Sequence, residues 1–121
     1  MGDPVGIGPE IIAKAIDSGE LLPLCRTIVI GDAGVMRKLI EEQRLSISVR
    51  GITSITDACP APGKLDVLDL QNVNLATHAW GRPDASSGTA VVEYIRRAVD
   101  LALKSDIDAL VTAPKIGRAH V

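Results

Sequence analysis

The chain begins MGDPVGIGPEII, and these twelve residues carry its clearest chemical spacing. Gly2, Gly6 and Gly8 leave the backbone free to approach a ligand closely, and Pro9 suits the first turn of a helix. A helix starting there would aim its free amides and positive dipole end at an anion such as a phosphate. The spacing is GxxxGxG, however, not the GxGxxG of dinucleotide-binding loops, and no lysine follows where a nucleotide-phosphate loop needs one. A tight strand-to-helix turn with no ligand explains the same residues equally well. Asp3 and Glu10 read most simply as solvated carboxylates, with capping of backbone amides or holding of a cation as alternatives.

A second candidate lies in DALVTAP, where an apolar run ends at Thr112 and Pro114. Ligands of α/β sheets gather at the carboxyl ends of strands, although a plain structural turn is the simpler account of these residues. His78, in NLATHAWG beside Trp80, has no second His, Cys or paired acid at metal-ligand spacing, which favours a surface or packing role. Asp66, Asp69 and Asp84 are scattered, and no Ser/His/Asp arrangement can be drawn. Arg96 and Arg97 read as the wet face of a helix.

The elements that must position these groups follow from composition and period. With 121 residues the chain has the length of one domain, and Phe is absent, so a core must come from Ile, Val, Leu and Ala. That favours helices layered on a sheet. A net charge of −2 gives no general attraction to nucleic acid or anionic membrane, and no apolar run reaches the length of a membrane span. Cys25 and Cys59 lack CxxC spacing and read as free thiols in a reducing compartment, so a cytoplasmic protein is expected.

Ile11, Ile12, Ala15 and Ile16 recur at helical spacing, with Gly19 near the stop. Arg26 to Asp32 reads as a buried strand, and Val35, Met36, Leu39 and Ile40 as the apolar face of a second helix. Leu45 to Gly51 alternates with period two, and Leu65 to Leu70 reads as another strand. Residues 71–87 form a long connection. Gly88 to Lys104 is the strongest helix, with Ser86 and Ser87 at its N-cap and Val91, Val92, Ile95, Ala98, Val99 and Ala102 on its apolar face. DIDALVTAP reads as a closing strand. The alternation points to an α/β domain with a parallel or mixed sheet.

Three segments together resemble one family. MGDPVGIGPEII is similar to the GDPxGIGPE opening of the 4-hydroxythreonine-4-phosphate dehydrogenases of vitamin B6 synthesis. WGRPDASSGTAVVEYIRRAVDLAL resembles that family's GxxSxxSGxxAxxYI stretch, with Asp84 where a serine is common, and DALVTAP resembles the strand leading into TAPINK. The resemblance implies a partial isocitrate/isopropylmalate dehydrogenase-like layered fold, a homodimer, and an active site in a cleft between two domains. It implies NAD-linked oxidation of a phosphorylated hydroxy acid followed by decarboxylation, with a divalent metal polarising the alcohol oxygen. The family's metal-binding histidines and phosphate-contacting His-Thr pair correspond to positions beyond VTAP, so none is carried onto this chain, and His78 matches none of them. On this reading Gly2, Asp3, Gly6, Gly8 and Glu10 shape the cleft loop, while Thr112 and Pro114 place the segment that follows. Threonate or erythronate 4-phosphate and cis-dihydrodiols are alternative substrates within the family. A non-catalytic phosphate-binding module and a structural subunit are alternatives outside it.

The ends carry two further expectations. The family's first strand precedes its GDP loop, which makes Met1 an internal methionine and residues 1–114 a partial α/β portion. The family continues past TAP with Ile-Asn-Lys, whereas this chain reads KIGRAHV. IGRAHV back-translates into a common sequencing-adapter sequence, so residues 115–121 read as a non-native tail. The fragment by itself is then expected to be inactive, to bind no cofactor, and to expose a sheet edge.

Overall fold

In the computed structural model, residues 1–113 are described. Helix α1 spans Gly8–Asp17, strand β1 Val29–Gly31, helix α2 Ala33–Gln43, strand β2 Ser48–Ile52, strand β3 Lys64–Asp69 and helix α3 Ala85–Leu103. A 3₁₀ turn at Ile55–Asp57 interrupts the β2–β3 connection. The strands form a parallel sheet in the order β1-β3-β2, with Val29 opposite Val67 and Gly51 also opposite Val67.

The central strand explains its own sequence. LDVL of β3 is buried throughout, because a parallel sheet is covered on both faces and alternate side chains enter separate cores. Leu65 and Val67 join Val29, Ala33, Val35, Met36 and Leu39 on the side packed by α1 and α2. Leu68 points the other way and meets Ile52 and Leu101, the latter near the end of α3. The four α2 residues expected to face the core, Val35, Met36, Leu39 and Ile40, are all buried. The Asp32 side chain caps that helix by accepting from Val35 N–H at 3.0 Å, so Asp32 is a cap and not the end of a strand.

Several expectations shift. The strand expected from Arg26 narrows to Val29–Gly31, and the Leu45–Gly51 strand moves to Ser48–Ile52. Helix α3 begins a turn earlier than expected, because Asp84 is the N-cap and Ser87 the reciprocal member of a capping box. Its apolar face is also rotated. Ser87, Ala90, Val91, Tyr94, Ala98 and Leu101 are buried, whereas Val92 and Val99 are 45% and 42% exposed. The helix carries apolar residues on two adjoining stripes, and the sheet covers only one.

The expected closing strand is not formed over the described residues 107–113. Apolar, β-branched sequence becomes strand only beside a hydrogen-bonding partner, and Val111 is 90% exposed. At the β1 edge, the Met1 amino group donates to the Ile30 carbonyl at 2.8 Å, and its side chain lies against Gly31. Met1 thus covers part of the edge expected to be open. Burial of that amine lowers its pKa from 8.0 to about 6. No helix among the described residues is long and apolar enough to cross a membrane.

Candidate active site

The opening loop crosses the end of the sheet at which β1 and β3 finish. Its shape is set by Asp3, which is 2% exposed and accepts from Val5 N–H at 2.9 Å, while its own carbonyl accepts from Gly6 N–H at 3.0 Å. Asp3 is therefore a buried turn-former, not the solvated carboxylate expected from composition: a tight turn leaves orphan amides that only a short acceptor can reach. Gly2 has φ of 75°, a left-handed value that favours glycine. At Gly8 a Cβ would stand 2.4 Å from the Met1 carbonyl oxygen and 3.1 Å from the Ala113 Cβ. Close chain packing alone accounts for glycine there. Glu10 reaches Lys14 at 3.7 Å along the exposed side of α1 and takes no part in the loop.

The Gly8–Ala113 approach brings the two candidate motifs together. Thr112 is exposed beside it, and Pro114 lies outside the described residues. The third contributor is the connection from β3 to α3. Asp69 accepts from Ala33 and Gln71 N–H at 3.0 and 3.1 Å, and Asp32 from Val73 N–H at 3.2 Å, which folds residues 70–74 back over the strand ends. Gly81 N–H then donates to the Val5 carbonyl at 2.7 Å, tying the connection to the loop.

Between the opening loop and this connection, away from Ala113, lies a pocket of about 30 Å³, lined among others by Pro4, Asn72, Thr77, Arg82, Asp84 and Ser87. That is room for about one or two waters and not for a phosphorylated substrate. Its polar residues are already organised. The Asp84 carboxylate takes hydrogen bonds from the Ser86 hydroxyl and the Ser87 N–H at 2.6 and 2.9 Å, which hold its pKa below the ordinary carboxylate value. Behind them Tyr94 donates to Asn72 Oδ1 at 2.8 Å, and Asn72 donates in turn to Glu93 at 2.7 Å. Burial, reinforced by the charges of Asp32, Glu93, Asp69 and Asp3, pushes the Tyr94 phenol far above its usual range, so it is a neutral donor.

A larger pocket of about 300 Å³ opens at the opposite end, where the strands begin, lined by Leu21, Leu22, Cys25, Ile47, Pro60 and Leu65 among others. Parallel sheets bind ligands outside the carboxyl ends of their strands, so the smaller, polar pocket is the functional candidate. Asn72, Arg82 and Ser86 there are residues that sequence reasoning did not select. Asn72 lies in an aperiodic connection, whereas Arg82 and Ser86 lie in the segment that carries the family resemblance, where Ser86 reads only as a helix cap.

The groups implied by the resemblance can be tested against these side chains. Among the described residues, no three His, Cys, Asp or Glu come together as a metal cage. Asp3, Asp32 and Asp69 already accept backbone N–H groups. The pocket is also too small for a dinucleotide. These residues do not fit either group by themselves.

A short parallel sheet covered by helices, with a glycine-rich loop at the strand carboxyl ends, defines an α/β protein. Residues 23–119 match the family described as pyridoxal phosphate biosynthetic protein PdxA, and the chain belongs to that family. A protein of Symbiobacterium thermophilum, provisionally named D-threonate 4-phosphate dehydrogenase, is 39% identical over 94% of the chain. The 4-hydroxythreonine-4-phosphate dehydrogenase of Desulforapulum autotrophicum is 38% identical over the same share. The crystal structure of a 4-hydroxythreonine-4-phosphate dehydrogenase from Burkholderia phymatum superposes on 99% of the chain with a TM-score of 0.93 at 32% identity. The chain spans 34% of the length of the two curated relatives and 36% of the Burkholderia chain.

Proposed function

We propose that this chain is part of a longer NAD-dependent dehydrogenase that oxidises a phosphorylated four-carbon hydroxy acid such as 4-hydroxythreonine 4-phosphate. The observation that carries the reading is the convergence, at the carboxyl ends of the strands, of the opening loop, the Ala113 segment and the capped start of α3. In the whole enzyme these residues form one wall of the substrate cleft. The loop of Gly2 to Gly8 excludes water beneath the substrate, and Arg82 offers a cation to an anionic group. In the whole enzyme NAD would accept the hydride and a divalent metal would supply Lewis-acid charge at the substrate oxygen. Both groups belong to the rest of the proposed homodimeric, cytoplasmic enzyme, in an isocitrate dehydrogenase-like layering, and this chain by itself is inactive.

D-Threonate 4-phosphate is the second reading for the substrate, favoured by the name of relatives at 39% identity. The experiment is a kinetic comparison of both phosphates in the full-length enzyme, followed by NADH absorbance, with the Gly6→Val variant alongside. Reduction of NAD by either substrate and a fall in kcat/KM of tenfold or more in the variant are expected. No turnover with either phosphate would sink the substrate reading. Unchanged kinetics in Gly6→Val would remove the loop from the mechanism.

A further inference from the structure

His78 takes no part in the proposed chemistry, yet its ring is held from both sides. Nε2 lies 2.6 Å from the Pro4 carbonyl oxygen. A carbonyl only accepts, so Nε2 carries the hydrogen. Nδ1 lies 2.8 Å from the Lys38 ammonium, which only donates, so Nδ1 presents its lone pair. The two contacts admit a single state of the ring, a neutral imidazole with its proton on Nε2.

The cation is itself held in place. Lys38 also donates to the His78 carbonyl at 3.2 Å and stands 5.4 Å from the Trp80 ring centroid. Trp80 meets the imidazole edge to face at 4.4 Å, and its indole N–H donates to Glu42 at 2.7 Å. Lys38 and Glu42 lie one turn apart on α2, so that helix is the platform from which the ring is oriented. With the Gly81 N–H on the Val5 carbonyl, two successive carbonyls of the opening loop are gripped from outside it. Asp3 shapes the turn internally but does not fasten it to the domain.

We infer that His78, set in its Nε2–H tautomer by Lys38, is the positioning residue that fastens the opening loop over the carboxyl-end pocket. Donation from Lys38 polarises the imidazole and strengthens its Nε2–H as a donor to Pro4. The functional consequence rests on the proposed role of that loop in the substrate cleft. The grip itself rests on the hydrogen-bond geometry.

Long-range proton–nitrogen NMR of the full chain labelled with ¹⁵N-histidine reads the tautomer directly. The chain has two histidines, His78 and His120, and the His120→Ala variant separates their signals. The expected signature for His78 is a protonated Nε2 and an unprotonated Nδ1; the opposite tautomer or an exchanging mixture overturns the inference. Hydrogen exchange at the Val5 and Gly6 amides reads the fastening. His78→Leu is expected to speed it about tenfold or more, with Lys38→Met acting in the same direction and the central Val67 amide unchanged. His78→Gln reaches with an N–H towards Pro4 and restores protection, whereas the shorter side chain of His78→Asn does not. Equal behaviour of Gln and Asn, or unchanged exchange in His78→Leu, overturns the inference. Should His78→Leu fail to fold, the tautomer of the unaltered chain decides. A confirmed tautomer with unchanged Gly6→Val kinetics keeps the fastening and discards the cleft reading, so the two fail separately.

Discussion

The two ends of the sheet use the same residue type in opposite ways. Towards the end where the strands begin, Asp66 is 3% exposed and accepts from the Arg50 guanidinium at 2.8 and 2.7 Å and from Cys59 N–H at 2.9 Å. Arg50 also donates to the Cys59 carbonyl at 2.8 Å, so the pair clamps the β2–β3 connection. At the end where the strands finish, Asp3, Asp32, Asp69 and Asp84 accept backbone N–H groups and, among the described residues, bridge to no lysine or arginine. One carboxylate neutralises a cation; four shape loops. Loops shaped by their own amides hold a precise outline without consuming nearby cations, in keeping with the proposed role of Arg82 towards an anion. The larger cavity lies at the clamped end, so volume alone selects the end opposite the candidate site.

This contrast can be broken most severely at Asp32. Asp32→Ala removes the α2 cap and leaves Val73 N–H without its partner, an expected loss of about 3 kcal/mol by urea denaturation. Asp32→Asn retains an acceptor and loses less. A loss below that of an ordinary surface substitution would show that the carboxyl-end loops stand without their carboxylates.

For a polypeptide that begins at Met1, the pH dependence of its amine comes next. Its folded pKa of about 6 lies below its unfolded 8.0, so between these values the unfolded chain binds more protons. Stability therefore rises with pH through that window, by roughly 2–3 kcal/mol when complete. Acetylation of the amine abolishes this component, and thermal melts of the two forms across pH 5–9, on the order of the window, check it.

At the clamped end, Asp66→Ala is expected to cost about 2 kcal/mol, because the Cys59 N–H loses its acceptor whereas the exposed Arg50 regains water. Arg50→Met should cost less than Asp66→Ala in the same denaturation series. The reverse order would make the arginine the principal element of the clamp. The smallest effect belongs to Asp84→Ser, since serine caps a helix almost as well. Its melting temperature should match that of the unaltered chain, while Asp84→Ala melts lower.

Much of the fold was legible because it rests on local periodicity. The four core residues of α2 and the buried run of β3 follow from period and burial alone. The face of α3 did not, because Val92 and Val99 satisfy the same helical period as Ala90 and Tyr94, and only the position of the sheet chooses between the stripes. DIDALVTAP looked like a strand because β-propensity describes a residue that fits a sheet, without supplying the neighbour that completes it. The site was legible in part. The glycine spacing located the loop, but the same pattern concealed that Gly8 serves the approach of Met1 and Ala113 and that Glu10 points elsewhere. The partners of Asn72 and of the His78 ring were beyond reach, since they lie tens of residues away along the chain.

The sequence by itself determined which segments become α1, α2, β3 and α3, that the chain is an α/β protein, and the resemblance that led to its family. Those properties are written in near-neighbour chemistry: helical period, β-branched runs and glycine-rich turns. Tertiary structure alone decided which end of the sheet gathers the loops and which stripe of α3 is buried. It also decided that Asp3 turns inward and that Lys38 faces His78. Each of these depends on long-range packing, where the burial of one group is settled by residues the local sequence cannot name.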